Sequence, residues 1–185
     1  MARIAPLDPP YAPDVAAALA KWMPPGSARE PLVLFRVLQR HPELASRMRV
    51  LGAGLLGHGA LPPADRELVI LRTCARAACW YEWGVHAEAF AGPVGLTPDQ
   101  VAATASGTGG DLLIRAADEL HDSARWSART WEALRGRYTD EQLVELLALA
   151  GWYRTISYVA NNLLDAGDAR QDDVLDRTYP YADPL

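Results

Sequence analysis

The sequence predicts an all-α protein, and three observations carry the prediction. Apolar residues recur at three- and four-residue spacing along most of the chain, prolines stand where helices would start or stop, and no stretch alternates as a half-buried strand would. A chain of 185 residues suits a single domain that buries roughly 70% of its unfolded surface.

Residues 1–31 hold seven prolines, so residues 1–30 should form an extended arm around one short helix, Asp14 to Trp22, that Pro24-Pro25 stops. An arm of this kind is expected to pack on a neighbour. The helical domain then runs over residues 31–164. Leu32, Phe35 and Leu38 mark one helix, and Leu44, Met48, Leu51 and Leu55 mark another after Pro42. Pro62-Pro63 opens a third, whose run Leu68-Val69-Ile70-Leu71 is apolar on every side, as a buried helix would be. Thr97-Pro98-Asp99-Gln100 and Thr139-Asp140-Glu141-Gln142 read as capping boxes, each opening a helix. Between them, a glycine-rich loop at 106–110 precedes helices from Asp111 to about His121 and from about Ala128 to Arg137. The last helix should run from Asp140 to about Leu164. Residues 165–185 form an acidic tail with six aspartates against two arginines.

Composition excludes several classes of function. The net charge is −5 and sits mainly in that tail, which leaves the body without the basic face of a nucleic-acid binder or the basic stripe of a membrane-surface helix. The start of the chain lacks the apolar core of a signal peptide, and no run of about 18 apolar residues occurs, so the chain reads as soluble and cytoplasmic. Lys21 is the only lysine, which argues against Schiff-base chemistry. Cys74 and Cys79 are the only cysteines. On one continuous helix they would point about 140° apart, a poor structural pair.

Reactive side chains crowd one segment, Cys79-Trp80-Tyr81-Glu82-Trp83-Gly84-Val85-His86. As a helix it places Cys79, Glu82 and His86 on one face. Glu67 lies twelve residues before Cys79, and a turn between the two runs could return it to the same place. A lone Glu/His pair at this spacing is usually a surface ion pair, but the additional Glu67 and Cys79 favour a site. Two glycine motifs are set aside. Gly52-x-Gly54-x-x-Gly57 follows no strand and has Arg72 where a dinucleotide site needs an acid, and Gly107-Thr108-Gly109-Gly110 lacks the lysine of a phosphate loop. His41 and His58 read as loop residues.

Glu67, Cys79, Tyr81-Glu82-Trp83 and His86, with Gly95-Leu96-Thr97 behind them, resemble the carboxymuconolactone decarboxylase and alkylhydroperoxidase D superfamily. The resemblance spans about residues 31–164. It implies a helical bundle that assembles as a dimer, trimer or hexamer, with the site near subunit contacts. In the alkylhydroperoxidase D branch the relay is a glutamate, a Cys-x-x-Cys couple and a histidine; here those places are Glu67, Cys79, Glu82 and His86, so Glu82 stands where the peroxide-reactive cysteine would be. The Tyr-Glu-Trp form instead resembles the decarboxylase-like members, which are cofactor-free and use acid–base groups.

The expected function is therefore cofactor-free acid–base chemistry on a small carbonyl or carboxylate substrate, by decarboxylation or proton transfer. In this reading His86 moves the proton, Glu82 orients it, Glu67 is a second acid or base, and Tyr81 can donate. Trp80, Trp83 and His121 are expected to wall the substrate pocket. A thiol peroxidase using Cys79 is the alternative, and a non-catalytic helical oligomer that binds a ligand is the third reading. Glu67, Glu82 and His86 are ligand types that suit iron, manganese or zinc, but with one histidine in reach neither metal nor cofactor is expected.

Overall fold

The structure is a computed structural model that describes residues 3–24 and 26–164. Among these residues the regular elements are all helical: α1 (Pro13–Ala20), α2 (Val33–Leu38), α3 (Pro42–Gly57), α4 (Pro63–Arg76), α5 (Trp80–His86), a π-helical turn (Ala87–Ala91), α6 (Pro98–Ser106), α7 (Leu112–Ser123), α8 (Ala128–Arg135) and α9 (Asp140–Leu163). The expected acidic tail at 165–185 lies outside the described residues.

Helix α4 is the axis of the bundle, with α5, α6, α7 and α9 packed around it. Its run Leu68 to Leu71 is 0–6% exposed, which is why the sequence there shows no polar face. The charged residues of α4 are each held by a neighbour, as buried charges must be. Asp65 accepts hydrogen bonds from Tyr138 and Arg137 at 2.7 Å each, which ties the α8–α9 loop to the start of α4. Arg72 donates to Asp118 of α7 at 2.6 Å and to the Thr104 carbonyl of α6 at 2.8 Å. Gly107 ends α6 at φ +75°, and a Cβ there would strike the Arg72 guanidinium, so the glycine serves this clamp and not a phosphate.

Both capping boxes form, at Thr97/Gln100 and Thr139/Gln142. Proline stands in the first turn of α1, α3, α4 and α6, where its missing N–H costs nothing. The N-terminal segment folds onto its own chain: Arg36 donates to Leu7 and Asp8, Arg40 donates to the Ala5 and Pro6 carbonyls, and Leu19 is buried. His41 caps α3 by accepting from the Leu44 amide at 3.3 Å. No helix among the described residues is long and apolar enough to cross a membrane.

Candidate active site

The site begins with the turn that ends α4. Ala78 adopts φ +52°, the left-handed conformation, while the Cys79 amide donates to the Cys74 carbonyl at 2.8 Å and the Ala78 amide to that of Ala75 at 3.0 Å. This αL termination satisfies the last carbonyls of α4 and reverses the chain, so that α5 lies back along α4. Glu67 and His86, nineteen residues apart, thereby come into contact.

Glu67 is fully buried. Its Oε2 meets Nδ1 of His86 at 2.6 Å, and Arg66 donates to its Oε1 at 3.0 Å. Burial pushes the Glu67 carboxyl up, but His86 and Arg66 together outweigh it and hold the group below the usual carboxylate range. In the tautomer that donates Nδ1–H to Glu67, a neutral imidazole carries its lone pair on Nε2. That nitrogen lies 3.9 Å from Oε2 of Glu82, beyond direct hydrogen-bond reach. Glu67 is thus the residue that orients His86, the part the sequence assigned to Glu82. Phe90, carried by the π-helical turn, stacks on the imidazole at 4.7 Å, and Tyr153 meets it edge-on at 5.0 Å.

His86 and Glu82 line a cavity of about 550 Å³. Its other walls include residues 21–24, Ser27, Glu30 and Leu32, one face of α3, and Trp152, Tyr153 and Ile156 of α9. Trp22 stacks on Phe35 at 4.6 Å and both face this space. Gly52 lets α9 approach α3, since a Cβ there would stand 2.9 Å from the Trp152 ring. The glycine that began a dinucleotide-like motif is a packing position on the cavity wall.

Other expected site residues lie elsewhere. Cys79 is the N-cap residue of α5 and is fully buried. Burial first and Glu82 second push its thiol up to about 12, against the opposing hydrogen bonds from the Glu82 backbone and Ser157. It is a thiol at neutral pH, without the nucleophilic thiolate. Cys74 is also buried and shares the Ser157 hydroxyl; the 140° separation does not apply, because the helix breaks between the two cysteines. Tyr81 turns away from the cavity, and its hydroxyl accepts from the Leu34 amide at 3.4 Å, an orphan donor in the first turn of α2. Trp83 donates to the Thr104 hydroxyl at 3.0 Å and so fastens α5 to α6, Trp80 packs edge-on against Trp83 at 5.9 Å within α5, and neither lines the cavity. His121 does not line the cavity and accepts from Arg154 through Nδ1 at 2.5 Å. Among the described residues no group of three or more His, Cys, Asp or Glu side chains is placed to hold a metal ion.

Tyr153 is the functional candidate that sequence reasoning missed. It lines the cavity, and burial, followed by the charges of Glu82 and Glu67, pushes its phenol well above the ordinary range. It is therefore a neutral donor beside two carboxylates. A signal was available: Leu149, Trp152, Tyr153, Ile156 and Ala160 form the buried stripe of α9, and Tyr153 brings a hydroxyl to it.

Comparison with known proteins shows what this geometry is similar to. The carboxymuconolactone decarboxylase family matches over residues 42–117, which run from the first turn of α3 into α7 and include Glu67, Cys79, Glu82 and His86. The match covers less than half of the chain, so it marks a likeness of this segment to that family. Comparison with curated proteins gave no match. Two solved structures share the fold. The debrominase Bmp8 without ligand superposes with a TM-score of 0.68 at 15% identity, covering 94% of this chain and 98% of the other. A cysteine-to-alanine variant of that debrominase in complex with 2,3,4-tribromopyrrole superposes at 0.69, also at 15% identity, covering 92% and 95%. At that identity the likeness concerns the fold alone, and it extends well beyond the family segment to nearly the whole chain.

Proposed function

We propose that this protein is a cofactor-free acid–base enzyme, of the carboxymuconolactone decarboxylase-like kind, that acts on a small carbonyl or carboxylate molecule held in the cavity, by proton transfer or decarboxylation. The observation that carries the reading is the buried 2.6 Å contact between Glu67 and Nδ1 of His86, a residue that also lines a cavity. A carboxylate that fixes one tautomer and stabilises the imidazolium makes His86 a base at Nε2. His86 takes a proton from the carbon next to a carbonyl, the charge of Glu67 offsets the positive ring, and Tyr153 donates a hydrogen bond to the oxygen on which negative charge develops. Glu82, on the same wall, is placed to exchange a proton with the substrate or with Nε2 through one intervening atom. In a decarboxylation the same groups stabilise the enolate left when carbon dioxide departs and return a proton to it.

The cavity's size and aromatic walls suit a ring-sized molecule, and a debrominase of this fold holds a small substituted pyrrole. The buried, fully protonated thiol of Cys79 gives the peroxidase reading no support. A homo-oligomer belongs to the same proposal: Val50 and Leu51 on α3 and Val144 and Leu147 on α9 are 44–68% exposed, apolar surface of the kind a second copy of the chain would cover.

The test is solvent exchange. Small ketones, lactones and keto acids are incubated with the protein in deuterium oxide and followed by proton NMR. The expected outcome is exchange at the carbon beside the carbonyl by the wild-type protein and by Cys79→Ser, and its loss in His86→Gln. Exchange that survives in His86→Gln removes the proposal.

A further inference from the structure

The cavity carries a cation that the acid–base chemistry does not use. Arg49 lies on α3 in the stripe Arg49, Gly52, Ala53 and Leu56, all of which line the cavity. At 1.5 Å rise per residue it stands about 10 Å along the helix from Leu56, at one end of this wall. Seven arginines are half-buried or buried among the described residues. Six of them, Arg36, Arg66, Arg72, Arg76, Arg115 and Arg154, donate hydrogen bonds to named partners. Arg49 alone has no such partner among the described residues. A partly desolvated guanidinium on the wall of a largely apolar cavity is costly unless an anion meets it.

We propose that Arg49 anchors a carboxylate of the ligand, so that the cavity takes an amphiphilic acid: a single carboxylate on an apolar, ring-sized body. The inference rests on the acid–base reading and deepens it, because Arg49 and His86 stand on different helices of the same cavity. The carboxylate held by Arg49 is a handle that aims the molecule, and the carbon on which His86 acts is elsewhere on it. A planar carboxylate matches the guanidinium fork with two parallel hydrogen bonds. One negative charge suits the space, since the cations Lys21, Arg29 and Arg49 outnumber the acidic residues Glu30 and Glu82 on its wall by one. Trp22, Phe35, Phe90 and Trp152 supply flat apolar surface for the ring.

The experiment measures binding without turnover. Isothermal titration calorimetry is run on the full chain with 2-naphthoate and with 2-naphthamide, which share a ring and differ in charge, using wild-type protein, Arg49→Gln and Arg49→Lys. The expected result is that wild-type protein binds naphthoate at least about tenfold tighter than naphthamide, as a charge-assisted pair provides. Arg49→Gln then loses that preference while its affinity for naphthamide stays within about twofold, and Arg49→Lys keeps part of it. Equal affinity of wild-type protein for the two compounds, a preference that survives in Arg49→Gln, or no binding of either at millimolar concentration overturns the inference. Because no turnover is needed, a failed deuterium exchange with the preference intact counts against the acid–base reading alone, and a lost preference counts against the role of Arg49 alone.

Discussion

His86 and His121 are both seven or fewer residues from an acidic neighbour on their own helix, yet the bundle places them in opposite company. His86 sits at the α4–α5 junction with Glu67 at 2.6 Å on one nitrogen and Glu82 at 3.9 Å from the other, and it faces a cavity. His121 sits at the α4–α7–α9 junction, where Arg76 reaches Asp118 and Asp122 and Arg154 donates to the imidazole. Burial first, then Arg154 and Arg76, hold the His121 pKa below its usual value despite the two aspartates. Two histidines of like sequence surroundings therefore divide into one with carboxylate partners, able to carry a proton into a cavity, and one kept neutral among arginines. The helix each one packs against makes the difference.

That contrast can be broken or sharpened by measurement. The largest effect concerns the thiol beside the α4–α5 site. With its pKa near 12 against about 8.5 for an ordinary cysteine, Cys79 carries on the order of a thousandfold less thiolate at neutral pH. Iodoacetamide at pH 7.5 should label it at least that much more slowly than free cysteine, and mass spectrometry that finds Cys79 alkylated at an ordinary rate would reopen the peroxidase reading. Next comes the chemistry. His86→Gln should lower carbonyl-substrate exchange by at least about a hundredfold, whereas His121→Gln should stay within about twofold; equal losses would erase the distinction between the two junctions.

A smaller effect is expected in stability. The folded-state pKa of Glu67 is depressed, so its contribution is fully present above the unfolded value of about 4.3 and is lost as pH falls through the lower folded value. Glu67→Gln should cost about 2 kcal/mol at pH 7, the size of a charge-assisted hydrogen bond, and should flatten that acid limb in urea titrations read by tryptophan fluorescence. No change in the acid limb would mean that Glu67 is not the ionised partner of His86. The smallest effect is at the turn. Ala78 holds a left-handed conformation that costs an alanine roughly 1–2 kcal/mol, so Ala78→Gly should raise stability by about 1 kcal/mol without altering exchange; a loss of stability would mean that the Ala78 methyl packs in a way that outweighs the relieved strain.

How much of this was legible varies with the range of the interaction. The capping boxes at Thr97 and Thr139 are local, involving residues three apart, and both form. The continuous apolar run of α4 announced a helix buried on all sides. The reversal after Arg76 was not legible, because alanine occupies the αL position where glycine is the usual signal. The π-helical turn that brings Phe90 onto His86 carries no proline or glycine to mark it. Tyr81 looked like the site tyrosine because it adjoins Glu82 in sequence, but adjacent helical residues point about 100° apart; Tyr153, far along the chain, reaches the site from α9.

The residue pattern alone determined the helical class, the main helices and the shared face of Glu82 and His86, since each follows from spacing within one segment or from a motif of a few residues. Only the packed bundle decided that Glu67 holds the imidazole, that Cys79 is sealed away, and that Tyr153 and Arg49 enter the same cavity. Those outcomes depend on which faces of α3, α4, α5 and α9 meet, and the contacts among them join positions dozens of residues apart, for which no local spacing rule exists.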